Sequence, residues 1–571
     1  MENLDLFQPR KFVPDNLNCE DFQDISKVYS ELLKFEVANK TDLENWLLFR
    51  SELESAIDQT RSVLHIKMTC DTKNEEYAKA YQDFIVNTFP GIKKLSKQLD
   101  EKYLDCADKF FSEEERYKLL TKNKKLEIEL FRDENIDLQT KESLLSQDYQ
   151  KVCGAMSVDF EGSERTLPMM SKFLTETDRL VREDAWNKIA SRRLADKEQL
   201  DNIFDDMRKV RVEIAKNAGF SNYVEYQFKN FHRFDYTPKD CKQFHDSIFK
   251  FVVPLYREIL LKRKKVMGLD ILKPWDLHVD SEGKSPLKPF KLADELIDKV
   301  GSIFSTMDKD LGGFFAENQK LGLLDLDSRI GKAPGGYQST LSESRKPFIF
   351  MNSVGLDSDV RTLLHESGHA FHVELAAGES LLDYREPPIE FCEVASMSME
   401  LFGSSYLDSF YNEEEQARSI IKHLEDVIFI LPWVATIDSF QHWIYENPEH
   451  SIDERKTVWS NIYKKYNTDV IDWEGFDDEL AYLWHRQLHI FEYPFYYIEY
   501  AIAQLGALQL WIKFKEDKES ALSFYKQALS LGGAKSLPEL FESAGIKFDF
   551  SKNTIQPLMV EVQRELDRIN R

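Results

Sequence analysis

Two histidines stand four residues apart in the segment RTLLHESGHAFH, and a glutamate directly follows the first of them. Residues four apart share one face of an α-helix, so His365 and His369 are close enough to bind one tetrahedral metal ion. Glu366 then points toward the open side of the metal, where a carboxylate takes a proton from a metal-activated water and passes it to a leaving amine. This HExxH spacing predicts metal-dependent hydrolysis with one zinc ion per chain.

A catalytic zinc ion needs a third protein ligand. In the pattern HExxHxxGxxH the Gly and His positions are occupied by His372 and Leu375, so the third ligand is expected further along the chain. The segment IEFCEVASMSMELF follows two prolines, is predicted to form a helix, and offers Glu390, Glu393 and Glu400. Its small residues permit a close crossing with the HExxH helix. The spacing alone leaves both Glu390 and Glu393 open as the ligand.

The elements that position these residues are predicted to be mainly helical. Apolar residues recur every three or four positions over residues 21–150, and the pattern is again helical after residue 360. Residues 331–352 give the clearest β signal, including PFIFMN, and residues 157–170 predict a smaller hairpin. We expect a helical region at residues 1–190 and a catalytic region at residues 191–571, or one compact unit.

Composition limits the partners and the cellular setting of the chain. Its 571 residues carry a formal net charge of -25, which disfavours nucleic acid as a partner. The acidic amino terminus does not resemble a secretory signal, and the apolar run at residues 427–437 is too short to cross a membrane. Six scattered cysteines indicate buried free thiols. We therefore expect a cytoplasmic protein without a membrane partner.

Several segments resemble the thimet oligopeptidase and oligoendopeptidase F family of zinc peptidases, in particular its smaller bacterial branch. They are HESGHAFH, FCEVASMSMEL, GGYQSTL, PFIFMN, HIFEYPFYYIEYA, LTETDRLVREDAW and PWDLHVD. The resemblance covers roughly the last two thirds of the chain, whereas the first 150 residues match only in helical character.

The resemblance implies roles for two glutamates of the second helix. Glu393 matches the family's third zinc ligand, and Glu400 matches a carboxylate that fixes the orientation of a ligand imidazole. It further implies a large helical metallopeptidase fold that encloses a deep channel, with a small β-sheet next to the HExxH helix and the N-terminal region covering the channel. Such a channel admits short unstructured peptides and excludes folded proteins.

A tyrosine-rich segment follows at residues 489–501. Its spacing predicts that Tyr493, Tyr497 and Tyr500 line one face of a helix, and neutral hydroxyls suit an oxyanion. By resemblance, Tyr500 is expected to be the main oxyanion donor and Tyr497 the second, with Tyr493 binding substrate. His489 matches a family histidine near the substrate, and His485 is the competing histidine.

The glycine-rich strand entry is the remaining candidate substrate site. Gly335 and Gly336 permit close backbone approach, and with Tyr337 they begin a strand whose free edge is suited to pairing with an extended peptide. An ordinary structural hairpin is the competing interpretation.

The sequence thus predicts a zinc-dependent oligoendopeptidase that cuts internal bonds of short peptides, and it makes no prediction of oligomeric state. A catalytically inactive peptide-binding scaffold of the same fold is the main alternative. An aminopeptidase would need an anchor for the free amine, such as a GAMEN-like strand, which the sequence lacks. If the chain were a helical structural protein, the HExxH motif and its downstream carboxylates would have to be coincidental.

Overall fold

The structure is a computed structural model that describes residues 4–329, 331–333 and 335–570. Most of these residues are helical. In chain order, the first twelve α-helices of the described chain are α1 (Phe22–Lys34), α2 (Lys40–Cys70), α3 (Glu75–Asp83), α4 (Phe89–Phe110), α5 (Glu115–Leu130), α6 (Glu134–Gly154), α7 (Leu167–Met170), α8 (Arg179–Ala195), α9 (Lys197–Asn217), α10 (Tyr223–Asn230), α11 (Pro238–Phe251) and α12 (Val253–Val266). The helices that follow are α13 (Ala293–Met307), α14 (Lys309–Lys320), α15 (Asp357–Ala376), α16 (Leu382–Arg385), α17 (Ile389–Gly403), α18 (Glu413–Glu446), α19 (Ile452–Tyr466), α20 (Asp477–Ala481), α21 (Leu488–Glu492), α22 (Tyr497–Glu516), α23 (Lys518–Leu529), α24 (Leu537–Ser543) and α25 (Lys552–Ile569).

Two small sheets interrupt the helices. Strands β1 (Ser157–Phe160) and β2 (Ser163–Thr166) form an antiparallel hairpin. Strands β3 (Leu324–Asp327), β4 (Tyr337–Leu341) and β5 (Lys346–Ser353) form a sheet with the order β3-β5-β4, in which β3 runs parallel and β4 antiparallel to β5. The mainly helical fold with small β elements is therefore confirmed.

The chain divides into two compact units, each made of discontinuous segments. The first unit comprises Met1–Glu129, Lys288–Gln416 and Gly506–Phe548, and the second comprises Leu130–Leu287, Ala417–Leu505 and Asp549–Arg571. The boundary expected at residue 190 falls inside α8, within the second unit.

The cysteines of the chain are free thiols that differ in burial. All six cysteines are free, but only Cys19 and Cys241 are buried, and the other four are half-buried, so the expectation of six buried thiols is wrong in this respect. No helix in the described parts of the chain combines the length and the apolar content needed to cross a bilayer.

The start of α15 is fixed by a sharp turn after β5. Gly355 has a φ of +93°, a left-handed conformation that costs glycine little. One carboxylate oxygen of Asp359 then accepts hydrogen bonds from the main-chain N–H groups of Val354, Gly355 and Leu356 at 2.8 to 2.9 Å. The bond to Leu356, the N-cap residue, is the capping contact of the HExxH helix, and the other two bonds hold the turn that leads into it.

A glycine lets α15 and α17 cross closely inside the first unit. A Cβ atom on Gly368 would lie 2.5 Å from Ser396 Cα and 2.6 Å from the Ala395 carbonyl oxygen, so only glycine fits there. The small residues predicted to allow a close crossing are thus at the contact. The Tyr525 hydroxyl, on α23, donates to the same Ala395 carbonyl at 3.0 Å.

Candidate functional site

The crossing of α15 and α17 brings three potential metal ligands together. One ligand atom each from His365, His369 and Glu393 lies within 4.8 Å of the other two. Nε2 of His365 is 3.4 Å from Glu393 Oε2, and Nε2 of His369 is 3.7 Å from the same oxygen. Ligands bound at about 2.0 to 2.2 Å to a tetrahedral zinc ion lie roughly 3.3 to 3.6 Å apart, so this donor set fits zinc.

A hydrogen bond to another part of the protein orients each of the two imidazoles. Nδ1 of His365 lies 2.8 Å from Glu400 Oε1, and His369 makes a hydrogen bond with the main chain of Cys392. Partners of this kind fix the ring orientation and leave Nε2 available to a metal. Ser396 donates to Glu393 Oε2 at 3.1 Å, which holds the carboxylate in place.

Glu366 is buried on α15 beside the ligand cluster. Burial is the largest influence on its carboxyl group and, with repulsion from Glu393 and Glu400, raises its pKa to about 7. His365 and a hydrogen bond with the Gln338 main chain act in the opposite direction. A carboxyl group with a pKa near neutrality can both accept and return a proton at neutral pH.

The strand entry approaches this carboxylate closely. A Cβ atom on Gly336 would lie 3.6 Å from Glu366 Oε1 and 3.4 Å from the Phe350 carbonyl oxygen, and Gly335 has a φ of +95°. The Tyr337 side chain makes other contacts. Its hydroxyl lies 2.6 Å from Thr69 Oγ1, and its ring stacks on Phe350 with centroids 4.7 Å apart. Strand β4 pairs only with β5 among the described strands, so it lies at the edge of its sheet.

The tyrosine-rich segment forms a cluster within the second unit. The His489 ring lies at its centre, with centroid distances of 5.0 Å to Tyr497, 5.5 Å to Tyr496 and 5.8 Å to Tyr500. The Tyr500 hydroxyl is 3.5 Å from His489 Nε2, and Gln487 Nε2 is 2.9 Å from His489 Nδ1. His489 is thus held between an amide and a phenol.

One expectation about this segment is wrong. Tyr493, Tyr497 and Tyr500 do not share a helix, because α21 ends at Glu492 and α22 begins at Tyr497. The intervening turn contains Pro494 and Phe495, and Phe495 has a φ of +69°. Proline disfavours a helical conformation in the residue before it, which accounts for the break. Tyr493 is half-exposed outside α22, whereas Tyr497 is buried within it.

The competing histidine has a different environment. His485 is buried, and its Nε2 lies 3.2 Å from Asp201 Oδ1, while its carbonyl accepts a hydrogen bond from the Tyr149 hydroxyl. Asp201 also accepts from Arg455 at 2.9 Å. His485 therefore belongs to a buried ionic network, whereas His489 belongs to the tyrosine cluster.

Three groups that contact the candidate site residues were not predicted from the sequence. Ser396 follows Glu393 by three residues on α17, and helical spacing could have suggested that contact. The main chain of Gln338 and the side chain of Gln487 reach Glu366 and His489 through tertiary structure, for which the sequence pattern gives no signal.

This chain belongs to peptidase family M3. The model of peptidase family M3 matches residues 173–559, and that of the peptidase M3 N-terminal domain matches residues 15–131. The chain is accordingly an enzyme of the metallo-oligopeptidase class. The similarity also extends into the N-terminal helices, where the sequence had suggested only a shared helical character.

Individual relatives agree with this assignment. The chain is 21% identical to "Oligopeptidase PepF" of Bacillus subtilis (strain 168) over 575 residues, which cover 94% of this chain and 82% of that relative. It is 25% identical to an "Oligoendopeptidase F homolog" of Borreliella burgdorferi over 68% of this chain and 66% of the relative. The solved structure of "PZ peptidase A with inhibitor 2" superposes with a TM-score of 0.91 at 28% identity, covering 98% of this chain and 99% of that one.

Proposed function

We propose that the chain is a zinc-dependent oligoendopeptidase that hydrolyses internal bonds of short, unstructured peptides. The observation that carries this proposal is the cluster of His365, His369 and Glu393, whose donor atoms lie within 4.8 Å of one another, with Glu366 next to it. One zinc ion per chain would be held by these three residues. When bound, the zinc ion would act as a Lewis acid that lowers the pKa of a water molecule and polarises a carbonyl oxygen.

Glu366 is proposed to act as the general base and then as the general acid. It accepts a proton from the attacking water and delivers that proton to the leaving nitrogen. Its burial and the adjacent Glu393 and Glu400 keep its basicity high enough for this exchange. Glu400 acts through His365, which it orients by the bond to Nδ1.

The tyrosines are proposed to stabilise the tetrahedral oxyanion. Tyr500 is the main donor, Tyr497 the second, and His489 supports Tyr500 from 3.5 Å. This assignment is supported by the sequence resemblance and by the clustering of the three residues within the second unit. Tyr493, which is half-exposed, is proposed to bind substrate.

The free edge of β4 is proposed to hold the peptide in extended form. Gly335 and Gly336 leave room for a second backbone beside Glu366, and main-chain bonds give affinity with loose side-chain selectivity. Tyr337 contributes here by fixing the strand through Thr69 and Phe350. Short peptides are the partners that such a site takes.

The proposal is tested by cleavage of a short quenched fluorescent peptide. Wild-type protein is expected to cut it internally, to lose activity with a chelator and to regain activity on addition of zinc. Mass spectrometry of the products distinguishes internal cleavage from removal of terminal residues. Zinc-loaded protein that binds peptides but cuts none of a varied set would instead support the inactive peptide-binding scaffold.

A further inference from the structure

Four buried residues with metal-ligand chemistry meet between two helices of the second unit. Cys241 and His245 are four residues apart on α11, and Asp438 and His442 are four apart on α18. This spacing places each pair on one face of its helix. All four are at least nine-tenths buried, with Cys241 and Asp438 having no exposed surface.

Three of the four side chains lie close enough together to share one metal ion. One ligand atom each from Cys241, Asp438 and His442 lies within 4.8 Å of the other two. His442 Nε2 is 3.4 Å from Asp438 Oδ2. His245 Nε2 lies 2.7 Å from the same oxygen and so holds the carboxylate in place.

Two polar atoms of this cluster lack hydrogen bonds. Among the described residues, no partner is aligned with Asp438 Oδ1 or with His442 Nδ1, and His442 Nε2 contacts Asp438 Oδ2 at 3.4 Å. Buried polar atoms without partners cost folding free energy, so native structures rarely leave several of them side by side. A cation among these atoms would satisfy them together.

We propose that Cys241, Asp438 and His442 bind a second divalent metal ion, of the zinc class, that joins α11 to α18. Thiolate and imidazole donors select zinc and similar transition metals over magnesium or calcium. His245 is a positioning residue, since its bond to Asp438 orients the carboxylate as outer partners of metal ligands do. The complete burial of the cluster is typical of a structural site.

Cobalt(II) is a suitable probe for this site because a thiolate ligand gives an intense near-ultraviolet charge-transfer band. The predicted catalytic ligands are nitrogen and oxygen donors, so a band that depends on Cys241 reports the second site. Chelator-stripped full-length protein is titrated with cobalt(II). Wild type is expected to bind two ions per chain and to show the band, whereas His365→Ala binds one ion and keeps the band.

A variant that lacks the proposed thiolate ligand and a matched control variant complete the test. Cys241→Ser is expected to lose the band and one bound ion, whereas Cys19→Ser, at another buried free cysteine, keeps both. If Cys241→Ser fails to fold, X-ray absorption of zinc-loaded wild type decides, with one sulfur neighbour expected for every two zinc ions. The proposal is overturned if wild type shows neither thiolate band nor sulfur neighbour, or if the band persists in folded Cys241→Ser.

Discussion

Nδ1 of His365 lies 2.8 Å from Oε1 of Glu400, seven residues beyond Glu393 on the same helix. This bond orients the imidazole, so Glu400→Gln is expected to weaken zinc affinity by about 10- to 100-fold. Competition with a fluorescent zinc chelator measures the affinity. Peptidase activity of the variant should return at high zinc concentration, and unchanged affinity would contradict the orienting role.

The third ligand is tested by comparing two glutamates of α17. Glu393 lies beside both histidines, while Glu390, also buried, is not part of the ligand cluster among the described residues. Glu393→Gln is expected to remove the zinc ion of the catalytic site, since a neutral amide is a poor zinc ligand. Glu390→Gln is the control and should retain it. Metal analysis after dialysis that finds equal zinc in the two variants would refute the assignment.

The helix crossing predicts the effect of adding one methyl group. Gly368→Ala would push Cβ against the main chain of Ala395 and Ser396, at a cost of about 1 to 3 kcal/mol of unfolding free energy. Gly313→Ala on α14 is the matched control, because its Cβ meets no atom within 4 Å and alanine favours helix. Urea unfolding of both variants gives the comparison, and equal stabilities would be inconsistent with a tight crossing.

A buried aspartate in the second unit predicts a pH dependence of stability. Asp276 has no exposed surface and accepts hydrogen bonds from Arg179 at 2.8 Å and Arg182 at 3.0 Å. Burial opposes its charge, but the bonds from Arg179, the Lys273 main chain and Arg182 outweigh burial and lower its pKa below 3.8. Its stabilisation is therefore present above pH 3.8 and is lost as the pH falls below that value.

Asp276→Asn should accordingly lose about 3 kcal/mol at neutral pH, where it leaves Arg182 buried without its charged partner. The difference from wild type in urea unfolding should shrink as the pH falls below 3.8. Asp270→Asn, at an exposed position, is the control and should change stability by less than about 0.5 kcal/mol. A difference that does not vary with pH would contradict the linkage.

The oxyanion assignment predicts a loss in kcat. Tyr500→Phe removes a hydroxyl proposed to act mainly in the transition state, so kcat should fall by about 10²- to 10³-fold with little change in KM. Tyr496→Phe, in the same cluster at 5.4 Å from the Tyr500 ring, is the matched control. Steady-state kinetics with the fluorescent peptide measures both, and equal effects would reject a special role for Tyr500.

Local periodicity made much of the fold and of the candidate metal site predictable. The four-residue spacing of His365 and His369 specifies a shared helix face, and the mainly helical fold follows from spacings of three and four. Spacing did not distinguish Glu390 from Glu393, because that choice depends on how α17 crosses α15, and Gly368 sets the crossing.

Other features depend on tertiary structure. The aromatic spacing suggested one helix through Tyr493, but Pro494 breaks it, and buried contacts from Arg233 to Phe495 and Glu499 support the resulting turn. The cluster of Cys241 and Asp438 was missed because its two halves lie on helices far apart in the chain. The four-residue spacing within each half, Cys241 to His245 and Asp438 to His442, was the signal for this cluster in the sequence.

The most direct test of the catalytic account is the turnover number of zinc-loaded Glu366→Gln beside that of wild type. The account predicts that kcat falls by about 10²- to 10⁴-fold while the zinc content is unchanged, because only the proton acceptor is removed. Glu374→Gln, later on the same helix, is the control and should keep nearly full activity. Full activity of folded, zinc-loaded Glu366→Gln would contradict the central claim that Glu366 is the general base.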